Sequence, residues 1–186
     1  VKDFNLPKNL MIYAGGHDSS INFYRYQSAG LKNFCLVSTG TWIVAMADNS
    51  DPNKMEEFLT MSLNADVTGN LVGGAITPGG REYECIAGQQ PKEAKVDIEL
   101  LTKIIEQETM VIPSFSNYDG QFPNSARKGY IDGPKPENQQ ERHALAVLHT
   151  ALLTVTCVDS LGSDRDLILD GSYLRDPIFA RIVKML

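Results

Sequence analysis

Cysteine is scarce in this chain of 186 residues, and the little there is makes no pattern. Cys35, Cys85 and Cys157 are odd in number, far apart and set among apolar neighbours, which suits reduced core thiols and not a disulfide frame or a zinc site. Histidine is as sparse: His17, His143 and His149 lack metal-ligand spacing, and the last two stand six apart on a helical stretch, on different faces. Positive charge is also short. With 17 Lys and Arg against 23 Asp and Glu the net charge is -6, and no basic stripe of the kind that tracks nucleic acid is present, so DNA and RNA are not expected partners. No apolar run approaches the ~20 residues a membrane span requires, and "VKDFNLPKNL" has none of the blocks of a signal peptide. The chain therefore reads as cytoplasmic, with no membrane partner. The strings GxxxxGK[ST], GxGxxG, GxSxG and HExxH are missing too, which disfavours the chemistries they serve.

What is present is an ordinary globular composition, 42% hydrophobic, enough for one sizeable core or two small ones. The chain starts at Val1 and stops inside "DPIFARIVKML", where Asp176-Pro177 makes a helix start with no stop signal after it. It is expected to be a piece of a longer protein.

"LMIYA" (10–14) is a short apolar run stopped by Gly15-Gly16, and reads as a buried strand. A helix follows from Asp18 to about Ala29, with Gly30 as its C-terminal cap. "FCLVSTGTWIVAMA" is two β-prone runs folded about Thr39-Gly40, a hairpin signal. Residues 55–76 supply two more strands with a turn near Thr68-Gly69-Asn70. One helix starts near Gly80 and another crosses Asp97 to Glu108. The stretch 113–138 has no period and reads as a long loop. A long, largely buried helix spans Gln139 to Leu161; "DLILDGS" is a strand, and the last helix begins at Asp176. Strands alternating with helices predict an α/β layered domain, with an antiparallel hairpin inside a mixed sheet.

Chemistry is concentrated in short glycine turns that follow strands. In "AGGHDSS", a carboxylate at Asp18 suits either a helix cap or a general base held at a sheet edge. In "STGT", Ser38, Thr39, Gly40 and Thr41 offer hydroxyls and consecutive backbone N–H groups, a donor nest for phosphate or an ordinary self-bonded turn. "TPGGREYECI" and "LILDGSYLRDP" repeat the strand-then-glycine arrangement.

Taken in order, "AGGHDSS", "CLVSTGTWIVAM", "GGREYECI", "PSF…GQFP" and "LILDGSYLRDP" resemble the C-terminal half of an FGGY carbohydrate kinase. The "HDS…STGTW" pairing is especially similar to the rhamnulokinase and L-fuculokinase branch. The resemblance implies an actin-like, ribonuclease-H-like domain with a mixed sheet flanked by helices, spanning 1–186 as the second of two domains. It also implies an N-terminal domain of the same chain beyond these residues, with sugar and ATP bound between the two. By the family's pattern Asp18 would be the base that takes the sugar hydroxyl proton, and Ser19 would neighbour the substrate. Thr41 beside Gly40 would meet the nucleotide phosphates, with Ser38 and Thr39 in the same turn. Gly80 and Glu84 would lie near the nucleotide, and Gly171, Ser172 and Asp176 would cradle adenosine. The chain departs from the family at Ser172, where a second glycine is common, and near Asp176, where an asparagine is frequent. Mg²⁺ is implied with ATP, bridging the β- and γ-phosphates and held mostly by phosphate and water. The implied activity is transfer of the ATP γ-phosphate to a hydroxyl of a ketose or deoxyketose such as rhamnulose or fuculose. These residues alone would be inactive. The alternative is a non-catalytic actin-like nucleotide-binding module. Homo-oligomerisation is left open.

Overall fold

The computed structural model describes residues 6, 7, 9–88, 95–162 and 164–186. An extended segment leads into helix α1 (Asp18–Ser28), which closes as its sequence predicts: Gly30 donates to the Gln27 carbonyl at 2.9 Å and Leu31 to the Tyr26 carbonyl at 3.2 Å. That pair of bonds is the Schellman motif, with glycine beyond the last turn. Strands β1 (Phe34–Thr39) and β2 (Ile43–Asp48) make a hairpin over residues 40–42, with Thr39 opposite Ile43. A second hairpin joins β3 (Met61–Ala65) to β4 (Leu71–Thr77), its turn tied by the Asp66 carboxylate, which accepts from Thr68 N–H at 2.8 Å and Asn70 N–H at 2.9 Å. Helix α2 (Gly79–Ala87) follows at once, and α3 (Ile98–Glu106) is capped by Asp97, which accepts from Glu99 N–H. Then come β5 (Met110–Ile112), β6 (Tyr130–Asp132), the long α4 (Gln139–Leu161), β7 (Asp166–Gly171) and α5 (Pro177–Met185).

Among the described residues, five strands form one sheet in the order β3-β4-β2-β1-β7. β7 pairs parallel to β1 and the other pairs are antiparallel, so β1, β4 and β7 run the same way and end at one edge of the sheet. This is the predicted mixed α/β fold. Alternation along the strands divides the side chains between two faces. Cys35, Val37, Ala45 and Ala47 pack on Leu153, Cys157 and Leu161 of α4. Phe34, Leu36, Met46 and Val72 pack on Phe23 of α1, whose ring stacks on Phe34 at 4.7 Å.

Four expectations need correction. Residues 10–14 are not a strand: among the described residues no other segment offers them a ladder, and Met11, Ile12 and Tyr13 are 70%, 76% and 80% exposed. The 113–138 stretch is not wholly loop, because β6 pairs antiparallel with β5 in a small second sheet. Helix α4 is, by length and composition, apolar enough to cross a membrane, with mean hydropathy 1.7 over its window; 61% of that window is buried within this domain. Cys85 is exposed, although Cys35 and Cys157 are buried as expected. His143 and His149 are turned about 120° apart on α4 by their spacing, yet both are buried and both meet α2, at Tyr83 and Glu82.

Candidate functional site

Because β1, β4 and β7 end together, the three glycine turns that follow them meet at one edge, where ligands of open α/β sheets bind. Gly80 donates its N–H to the Thr41 carbonyl at 3.1 Å, and a Cβ there would lie 2.6 Å from the Gly40 carbonyl oxygen and 2.8 Å from the Thr41 Cα. Only glycine lets α2 approach the hairpin so closely. Thr39 is the hub on the other side. Its hydroxyl donates to the Asp170 carbonyl at 2.9 Å and accepts from Tyr173 N–H at 3.2 Å, and its carbonyl accepts from the Ser172 hydroxyl at 3.3 Å. The Tyr173 hydroxyl closes the ring by donating to the Gly40 carbonyl at 3.2 Å. Burial among these groups pushes the Tyr173 phenol far above its ordinary value, so it stays a donor.

The predicted residues fall into distinct positions. Gly40, Thr41, Gly80, Gly171 and Ser172 are brought together, with Thr39 buried beneath them and Ser38 half-buried one residue earlier. Thr41 is exposed, and among the described residues neither its hydroxyl nor its N–H has a protein partner. That free donor pair at a strand end fits a phosphate oxygen. Glu84 is exposed on α2 and lines a cavity of about 440 Å³ with Arg81, Cys85, Phe115, Ser116, Asn117 and Arg127. The Asp176 carboxylate is occupied: one oxygen caps α5 through Ile178 N–H at 3.0 Å and the other accepts from Val96 N–H at 2.6 Å. Asp18 makes no hydrogen bond to the turns. Its side chain is 93% exposed, 3.1 Å from His17 Nδ1, and accepts from the neighbouring Ser19 N–H at 2.8 Å. It is the first residue of α1 and not its cap, since His17 holds the N-cap position. Ser19 is half-buried beside it.

Residues 31–186 match the family description "Carbohydrate kinase FGGY, C-terminal domain". This chain belongs to the FGGY carbohydrate kinase family. Members of that family are sugar kinases. The FGGY domain described here is 26% identical to a carbohydrate kinase from Novosphingobium aromaticivorans, with a TM-score of 0.75 over 90% of this chain and 38% of that one. A xylulose kinase from Rhodospirillum rubrum is 15% identical, at a TM-score of 0.61 over 96% of this chain and 38% of its own. A Plasmodium falciparum glycerol kinase with ADP is 15% identical, at 0.51 over 81% and 33%. A comparison with curated proteins returned no match. The FGGY match starts after Asp18 and Ser19, and includes every other candidate residue.

Three further residues of the FGGY domain were not singled out by motif. Arg81 lies over both Trp42 and Tyr118, 5.3 and 4.8 Å from their ring centroids, and so ties α2 to the hairpin and to the long loop. Glu82, 1% exposed, accepts from Phe115 N–H at 2.9 Å and Ser116 N–H at 2.7 Å, with His149 3.7 Å away. Burial pushes its pKa up, but His149 and the two N–H groups outweigh burial and hold it below the ordinary carboxylate value. Asp170 bonds to α1 across 148 positions of sequence. None of these pairings has a sequence signal beyond residue type.

Proposed function

We propose that this chain is the nucleotide-binding half of an ATP-dependent sugar kinase, with Asp18 as the general base. The observation that carries this is the convergence of the 39–41, 79–80 and 171–172 turns at one sheet edge, with the Thr41 donors facing outward. Three strand ends packed together, with no room for a Cβ at Gly80 or Gly171, make a rigid, donor-lined ledge, which is what phosphoryl transfer asks of a protein. The Thr41 hydroxyl and N–H would hold phosphate oxygens, Gly80 would keep α2 and its N-terminal dipole close to them, and Gly171 and Ser172 would support the nucleoside. Glu84 and Asp176 take peripheral places, since the Asp176 carboxylate is already bonded to two N–H groups.

The sugar hydroxyl would attack the γ-phosphorus as the bond to the bridging oxygen breaks. The electron pair leaves with ADP and the hydroxyl proton passes to the Asp18 carboxylate. Asp18 is exposed, and among the described residues its only side-chain neighbour within ion-pair distance is His17, which leaves the carboxylate open to a sugar. Ser19 would bond the same substrate. Mg²⁺ would be carried on the phosphates and water and not in a protein cage. Bound there, Mg²⁺ would neutralise charge between the β- and γ-phosphates.

The sugar would be a ketose or deoxyketose such as rhamnulose or fuculose, which the "HDS…STGTW" pairing supports, and the protein would act in the cytoplasm. An N-terminal domain of the same chain would cover the exposed Leu10–Tyr13 run and close the cleft over Asp18. The test is a coupled ADP assay on the full-length protein with Mg-ATP and L-rhamnulose, L-fuculose and D-xylulose. Sugar-dependent ADP release supports the proposal. Mg-ATP binding with no product from any of the three would favour a non-catalytic module.

A further inference from the structure

Helix α1 is thinly held. Phe23 is its buried side chain among the described residues, with half-buried Tyr26 beside it against Phe34, so each end of the helix is held by its own polar anchor. One lies at the C-terminal end, where Gln27 Nε2 donates to Asp66 Oδ2 at 2.8 Å. The other joins α1 to the tip of β7: Asn22 Nδ2 and an Arg25 guanidinium nitrogen both donate to Asp170 Oδ2, each at 3.1 Å. The second oxygen of the same carboxylate accepts from Gly171 N–H at 2.7 Å, and the Asp170 carbonyl accepts from the Thr39 hydroxyl at 2.9 Å. Asp170 thus has one oxygen on α1 and the other on the 171–172 turn.

Spacing gives this link a direction. Asp18, Asn22 and Arg25 are residues i, i+4 and i+7 of one helix, and so share a face. Asn22 and Arg25 seat that face on the end of β7, which leaves Asp18 one turn, about 6 Å, farther along the axis and beyond the sheet edge. The group that orients the helix also fixes the turn proposed to support the nucleotide.

We propose that Asp170 is a positioning residue for phosphoryl transfer, locking the Asp18-bearing face of α1 to the Gly171-Ser172 turn. The inference rests on the proposed role of Asp18. The Asn22 bond first, then Gly171 N–H and Arg25, hold the Asp170 carboxyl below its ordinary value against the opposing effect of partial burial. It is therefore ionised at neutral pH. An asparagine in its place would turn an amide donor toward either Asn22 and Arg25 or Gly171.

The experiment uses the full-length protein with Mg-ATP and L-rhamnulose, L-fuculose or D-xylulose, and compares D170A, the double variant N22A/R25A, their combination, Q27A and D18A. The double variant breaks the link from the helix side and leaves the nucleotide turn alone. D170A and N22A/R25A should each lower kcat roughly 10- to 100-fold, the range expected when a reacting group is displaced by about 1 Å. The ATP dissociation constant of N22A/R25A should stay within about threefold of wild type, and the combined variant should be no slower than D170A alone. Q27A, which cuts the distant anchor, should change kcat less than about twofold. Amide exchange across α1 should quicken at least about tenfold in D170A and in N22A/R25A while α5 keeps its protection. Wild-type kcat in N22A/R25A, or a lowered thermal midpoint with kcat retained, overturns the inference. So does unchanged exchange in α1, a readout that needs no turnover. Turnover retained in D18A would sink the base itself; turnover lost in D18A but kept in N22A/R25A sinks only the role of Asp170.

Discussion

Gly171→Ala is the sharpest test of how the three turns are packed. Gly171 has φ +103, and a Cβ built on it would lie 2.1 Å from the Thr39 carbonyl oxygen, 2.7 Å from the Thr39 nitrogen and 2.8 Å from its hydroxyl. The first two are backbone atoms of the strand residue with which Gly171 pairs, so no side-chain rotation relieves the overlap. Holding an alanine at that φ costs on the order of 1–3 kcal/mol, and the overlap adds about 1–3 kcal/mol. The sum, about 2–6 kcal/mol, is a large part of the roughly 5–15 kcal/mol that stabilises a domain. Relief would require β7 to part from β1, carrying Asp170 and Tyr173 with it. Calorimetry of the full-length protein should show the transition of this domain lowered by on the order of 10 °C, with Mg-ATP affinity falling alongside. Gly40→Ala is the control: nothing lies within 4 Å of its Cβ and its φ is not positive, so its effect on stability should stay within about 0.5 kcal/mol. A Gly171→Ala variant melting within 2 °C of wild type, a bound of about 1 kcal/mol, would refute the close approach.

Glu82→Ala should destabilise by about 2–6 kcal/mol, since it leaves the Phe115 and Ser116 N–H groups buried without an acceptor; urea unfolding indistinguishable from wild type would refute this. Because the folded-state pKa of Glu82 lies below its ordinary 4.5, its contribution is complete above that value and is lost as pH falls through the lower one. The urea midpoint should therefore drop on acidification below about 4.5, and less steeply in Glu82→Gln; equal slopes in the two proteins would count against it. Alkylation of the native protein with iodoacetamide at pH 8, mapped by mass spectrometry, should modify Cys85 and spare Cys35 and Cys157. Burial pushes Cys35 up to about 12 despite the lowering effect of Arg165, and pushes Cys157 higher still. Partial burial, with Glu82 and Glu84 nearby, also raises Cys85, so its labelling should be slow, and native-state labelling of Cys157 would contradict the packing of α4.

Features decided within a few residues were legible in the sequence. Gly30 ends α1, Asp176-Pro177 opens α5, and the Thr39-Gly40 turn folds a hairpin, each through local backbone chemistry that residue type announces. The α/β class followed from their alternation. What depended on distant partners was not legible. Residues 10–14 have a strand's composition, but a strand exists only beside another one. The three residues of β6 are too few for a period to register and owe their state to β5. At the candidate site, the ordered glycine turns were visible and the side chains that bind them were not. Asp170 looks like turn punctuation until Asn22 and Arg25 arrive from the far end of the chain. Asp176 reads as a helix start from local chemistry, and its bond to Ile178 N–H is of that kind; its bond to the distant Val96 N–H has no signal in the sequence.

The most direct measurement of the central claim is single-turnover phosphorylation by full-length Asp18→Asn, with Mg-ATP affinity measured on the same sample. If Asp18 takes the hydroxyl proton, the rate of transfer should fall by about 10²–10⁴ while the ATP dissociation constant stays within about twofold, because Asp18 makes no hydrogen bond to the nucleotide turns. Transfer at the wild-type rate would contradict the account.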